Sequence, residues 1–224
     1  MRSLRLLLAV LTCTLAAARV AAADAAPIRV ACVGDSITYG YLLKNPATES
    51  YPADLARLLG RGYDVGNFGV SATTLLKDGD YSYWKQKALP AADHFAPAIV
   101  VIMLGTNDSK PYNWARRADL ARDAGALIEH FRDLQSKPTV YVCLAVPVFK
   151  NPYGINEAHL AKIRAIWREV AASHQVPVID ATTPFLGKES LFCDGVHPTV
   201  VGAQLLAETV ARAISAKTPA AGAR

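Results

Sequence analysis

The sequence predicts a three-layer α/β domain, with helices on both faces of a mostly parallel sheet of about five strands. Two observations carry this. Four segments, "PIRVACVG", "PAIVVIMLG", "KPTVYVCLAVP" and "VPVID", are short, continuously apolar and rich in β-branched residues, as strands buried on both faces are. Between them lie segments with apolar residues at helical spacing, so strand and helix alternate along the chain.

Residues 1–23 stand apart from this pattern. A cationic start, "MRSLR", precedes an apolar run too short to span a bilayer, and small residues follow it. This reads as a secretory signal cleaved near Ala22 or Ala23, with a secreted or periplasmic product and no stable membrane anchor. The remainder, 24–216, suits one domain with one sizeable core, and the tail 217–224, "KTPAAGAR", is expected to be disordered.

The elements follow in order. The first strand, 27–34, ends at Gly34 and is followed by Asp35 and Ser36. Ser50 is placed to cap a helix with Pro52 in its first turn and Gly60 at its end. "GYDVGNFG" is a shorter fifth strand, interrupted by Gly66. After the strand in 97–105, Leu120, Ala124, Leu127 and Phe131 form one apolar stripe of a helix. Asn156 is expected to cap the next helix, and the last helix follows Pro198.

The formal charge of +5 falls to +2 once Arg2, Arg5 and Arg19 leave with the leader, and no run of Lys or Arg remains. Nucleic acid is therefore not an expected partner. Cys32 and Cys143 lie in apolar strands and read as small hydrophobes. With Cys193 they make an odd set that cannot be fully paired, and no spacing resembles a zinc site, so neither metal nor cofactor is expected. A thiolate at Cys193 is opposed by Asp194 beside it. "GDSITYG" lacks the lysine of a phosphate-binding loop, which argues against a nucleotide site.

In an open parallel sheet, ligands bind beyond the carboxyl ends of the strands. Ser36, Gly69, Asn107 and the pair Asp194 and His197 all follow predicted strands, and should meet at that edge. Ser36 is the candidate nucleophile. His197 is the candidate base, with Asp194 three residues earlier to orient it and Gly195 to allow the turn. The backbone N–H groups of Ser36 and Gly69 and the Asn107 amide would form an oxyanion hole, Gly69 letting substrate approach its backbone. Asp35 and Asp108 read as structural loop residues. Trp84, Tyr112 and Trp114 are candidates for stacking on a sugar, with the pinning of loops as the alternative.

"GDSIT", "NFGVS", "GTND" and "DGVHP", in this order, resemble the four blocks of the SGNH, or GDSL-type, esterase and lipase superfamily. The resemblance spans Val30 to about Val200. It implies a flavodoxin-like sheet, a catalytic Ser36, Asp194 and His197, and the oxyanion donors just named. The "SKPYNW" loop resembles the branch acting on sialate and polysaccharide O-acetyl groups, which implies a small-molecule or glycan ester as substrate. The same residues serve a lysophospholipase, a thioesterase or an O-acetyltransferase. A silent carbohydrate-binding relative would show decay at one or more of the five positions, and none shows it.

Overall fold

The apolar segments form four adjacent strands of a five-stranded parallel sheet, "VPVID" at one edge, in a computed structural model that describes residues 26–216. The predicted leader and tail lie outside the described residues. The strands are β1 (Ile28–Gly34), β2 (Tyr63–Gly69), β3 (Ile99–Met103), β4 (Thr139–Leu144) and β5 (Val178–Asp180). They lie side by side in the order β2-β1-β3-β4-β5, that of the flavodoxin-like doubly wound sheet. Gly34 at the end of β1 is in register with Gly69 on one side and Met103 on the other.

Six helices of the described residues matter to the site: α1 (Ser36–Tyr39), α2 (Tyr51–Leu59), α3 (Ala88–His94), α4 (Leu120–Arg132), α5 (Glu157–Ser173) and α6 (Val200–Ser215). Successive strand residues point to opposite faces. Ala31, Val33, Val100 and Ile102 pack under α3, α4 and α5, whereas Val30, Cys32, Val101 and Met103 pack under α2 and α6. The stripe Leu120, Ala124, Leu127 and Phe131 is fully buried, as its spacing predicts. The edge strand β2 is only half-buried, consistent with its weaker apolar pattern. Burial of Cys32 pushes its thiol up to about 12, so it is inert as a nucleophile.

One local expectation needs correction, and one helix is an addition to those read from the sequence. Ser50 precedes α2 but makes no capping bond; its Oγ instead accepts from Asn67 Nδ2 at 3.4 Å. Helix α3 is the addition; Pro90 falls in its first turn, where a proline lacks only an N–H that has no helical acceptor. Asn156 caps α5 as expected, accepting from the His159 N–H at 3.0 Å.

Helix α5 also braces the irregular segments that leave β3 and β4. The Trp167 indole N–H donates to the Leu104 carbonyl at 2.8 Å. Arg164, almost wholly buried, donates to the carbonyls of Ala145 and Val146 at 2.8 and 2.9 Å and to Glu157 at 2.6 Å. Glu157 in turn accepts from the Val148 N–H at 2.8 Å. Trp167→Phe leaves the Leu104 carbonyl buried without its donor, and should cost about 1–3 kcal/mol. A lowered urea midpoint at unchanged slope is the expected result; an unmoved midpoint would show that this bond carries no stability.

Candidate active site

The site is built on the turn between β1 and α1. Asp35 caps α1, its Oδ1 accepting from the Ile37 N–H at 3.0 Å, and this sets Ser36 as the first helical residue. From the other side of the sheet, the chain between β5 and α6 turns back on itself. There the Cys193 N–H donates to the His197 carbonyl at 2.8 Å. Gly195, at φ 82°, has its α-carbon against the Lys150 carbonyl, where a β-carbon would not fit.

That turn brings Asp194 and His197, three residues apart, to Ser36, which is remote from both in sequence. His197 Nδ1 lies 2.7 Å from Asp194 Oδ2, and His197 Nε2 lies 2.9 Å from Ser36 Oγ. With the Nδ1 proton donated to the carboxylate, Nε2 is left to accept from the serine hydroxyl. Asp194 Oδ1 also accepts the N–H groups of Val196 and His197, at 3.0 and 2.8 Å. Partial burial alone would raise the Asp194 carboxyl, but the bonds from His197, Tyr153 and Val196 outweigh it and hold it below its ordinary value. The ring of His197 is flanked edge-on by Tyr41 at 4.8 Å and Tyr153 at 5.4 Å between centroids.

A pocket of about 220 Å³ opens above Ser36 and His197, and Ser71, Ala72, Asn107 and Lys110 complete its inner wall. Asn107 Nδ2 donates one hydrogen to the Thr73 carbonyl at 3.1 Å, which leaves the second for the pocket. Asp108, beside it, is fully buried and accepts the N–H groups of Leu75 and Leu76, both at 2.9 Å. Burial pushes its carboxyl up to about 7, against the pull of those two donors.

Gly69 is not where the sequence suggested. It does not line this pocket, and its N–H is donated to Asn67 Oδ1 at 3.0 Å. A β-carbon at Gly69 would strike the backbone of Thr38 and Tyr39, so the glycine lets α1 approach, not substrate. Asn67 completes that contact, its Nδ2 donating to the Thr38 carbonyl at 2.9 Å. The backbone that does reach the pocket is three residues further on. Ala72 is exposed, sits in the left-handed region at φ 67°, and its N–H has no hydrogen-bond partner among the described residues. Nothing in the residue type announces it, because alanine rarely adopts that conformation.

The three aromatic candidates also lie outside the pocket. Trp84 is packed on the core, donates to the Leu75 carbonyl at 3.1 Å and carries Lys77 over its ring. Trp114 stacks on His159 at 4.5 Å, and Tyr112 is exposed without lining the pocket. The rings at the site are Tyr41 and Tyr153, which sequence reasoning missed because they come from loops with no chemical motif. The other histidines are engaged elsewhere, His130 with Asp93 and His174 with Glu129.

A family model described as the GDSL-like Lipase/Acylhydrolase family matches residues 32–205. The chain belongs to this family. An acetylxylan esterase of Xylanibacter ruminicola is 38% identical over 206 residues, a match covering 84% of this chain and 43% of that protein. The chain thus spans less than half the length of this relative. The fold is that of Est24, a carbohydrate acetylesterase from Sinorhizobium meliloti, at a TM-score of 0.70 and 22% identity over 85% of this chain and all of that one. It is equally that of an aryl esterase from M. smegmatis, at a TM-score of 0.69 and 22% identity with the same coverage.

Gly69→Ala should therefore destabilise the fold by about 1–3 kcal/mol, whereas Ala72→Gly relieves a left-handed alanine and should stabilise it by about 1 kcal/mol. Thermal unfolding of both variants checks this, and a stable Gly69→Ala protein would contradict the packing argument. Asp108 gives a pH dependence. Its folded carboxyl binds a proton more tightly than the unfolded one, so its contribution to stability falls as pH rises from about 4 to about 7 and is flat beyond. Urea unfolding at both ends of that window should show a wild-type slope that is reduced in Asp108→Asn; equal slopes would refute the assignment.

Proposed function

We propose that the protein is an exported serine esterase that removes short acyl groups, acetyl above all, from carbohydrate hydroxyls. The observation that carries this reading is the hydrogen-bonded line from Asp194 through His197 to Ser36 on the floor of a small pocket. The acetylxylan esterase relative supports the acetyl and carbohydrate parts of it. The apolar leader read in residues 1–23 supports export.

In the proposed reaction, His197 Nε2 takes the hydroxyl proton as Ser36 Oγ attacks the ester carbonyl, and Asp194 stabilises the imidazolium that results. The negative charge that develops on the carbonyl oxygen is met by the Ser36 N–H, the Asn107 amide and the Ala72 N–H, the last replacing Gly69. Collapse expels the sugar oxygen, which receives the proton from His197 and leaves as the alcohol. Water then adds to the acyl-enzyme with His197 again as base, releasing the carboxylic acid and restoring Ser36. No step calls for a metal or an organic cofactor.

A pocket of about 220 Å³ shared between the acyl group and part of its alcohol favours acetate over a fatty acyl chain. Hydrolysis of p-nitrophenyl esters from acetate to palmitate, with acetate release from acetylated sugars in parallel, should show activity confined to the shortest chains. A preference for long chains would instead assign a lysophospholipase or thioesterase. Ser36→Ala should lower kcat at least about 10³-fold with little change in Tm, and Asn107→Ala should lower it about 10²- to 10³-fold. Full activity in Ser36→Ala would overturn the mechanism.

A further inference from the structure

We propose that the glycan carrying the ester is acidic, and that Lys110 recognises its carboxylate. This inference rests on the carbohydrate reading above. Of the residues lining the pocket, Lys110 alone carries a permanent charge. Its ammonium makes no hydrogen bond or ion pair with another described residue, and its influence on the buried Asp35 carboxyl acts through space.

Lys110 begins a cationic track. It opens the one-turn helix Pro111–Trp114, where the Trp114 N–H donates to the Lys110 carbonyl at 2.8 Å. The guanidinium of Arg117 and the ammonium of Lys162 lie 5.5 and 5.9 Å from the centre of the Trp114 ring. Neither forms an ion pair with a described residue. Elsewhere Arg122, Arg132, Arg164 and Arg168 are each matched to a carboxylate. Asp80, the carboxylate that touches this turn, is already held by Asn113 Nδ2 at 2.7 Å.

An unneutralised track that ends inside an esterase pocket fits a polymer bearing spaced carboxylates better than a neutral one. Tyr41 and Tyr153, about two-fifths exposed beside His197, supply flat apolar faces suited to a pyranose ring. Together these features favour uronic acid residues next to the esterified sugar.

The test compares acetylated xylo-oligosaccharides with and without a uronic acid branch, using p-nitrophenyl acetate as a neutral reporter. The wild-type protein should show a KM about tenfold lower on the acidic substrate at low salt, with similar kcat. The preference should shrink towards unity at about 0.5 M salt. Lys110→Gln should bring the ratio of the two KM values close to one, while Lys137→Gln, which removes the same charge elsewhere, should preserve it. Calorimetry on Ser36→Ala should likewise show tighter binding of the acidic oligosaccharide. Equal KM values in the wild type, or a preference that survives Lys110→Gln, would overturn the inference. Faster turnover of vesicles of anionic phospholipid than of either glycan would also overturn it and assign the cations to a membrane surface. Activity on the reporter and on neither glycan would remove the carbohydrate reading with it, and inactivity on every ester would overturn the esterase reading itself.

Discussion

The relation between the two loops that form the inner wall of the pocket depends on the Asp108 carboxylate. Thirteen residues separate β2 from the one-turn helix Tyr83–Lys85, and so long a connection has no regular ladder to hold it. Asp108 supplies the anchor, accepting two successive N–H groups of that connection from its place immediately after Asn107. Further ties come from the same side of the molecule, from Asp123 to the Lys77 N–H and from Asn113 to the Asp80 N–H. The loop that carries Ala72 is thus fastened to the segment that carries Asn107. The Leu75 and Leu76 N–H groups are buried with Asp108, and these bonds hold the spacing between Ala72 and Asn107 on the pocket wall.

The sheet supplies the second constraint. Because β1 and β3 are neighbours and all three strands are parallel, the chain must leave β1, β2 and β3 at one edge, with Ser36 and Asn107 following adjacent strands at the point where the order reverses. His197 reaches the same point from 161 residues away in sequence, delivered by a turn whose geometry depends on Gly195. Glycines serve this convergence in different ways. Gly195 supplies a positive φ, while Gly34 and Gly69 remove β-carbons that would collide with α1. The helix that carries Ser36 is one turn long, and close packing on β1 and β2 compensates for the bonds so short a helix lacks.

What could be read from the sequence divides along a physical line. The strands and long helices were legible because burial imposes a period on residue type, and Ser36, Asn107, Asp194 and His197 were legible because their chemistry is specific and each follows a strand. Gly69 was misread because a glycine reports that a side chain is excluded without saying by what. Ala72 was invisible because its contribution is a backbone conformation, which an alanine does not advertise. Asp108 looked like a turn residue because its partners lie 32 and 33 residues away, and Tyr41 and Tyr153 were missed because only the folded loops bring them against His197.

The same buried carboxylates that organise the site bear on its electrostatics. In the proposed reaction, negative charge develops between Ser36 and Asn107, and each of these is followed or preceded by a buried aspartate that would repel it if ionised. Burial raises both Asp35 and Asp108, which lessens their charge at a given pH. Lys110 lies on the same wall and acts on Asp35 in the opposite sense. The carboxylates whose first task is to hold the loops are therefore also the charges nearest the proposed oxyanion, and their burial serves both ends.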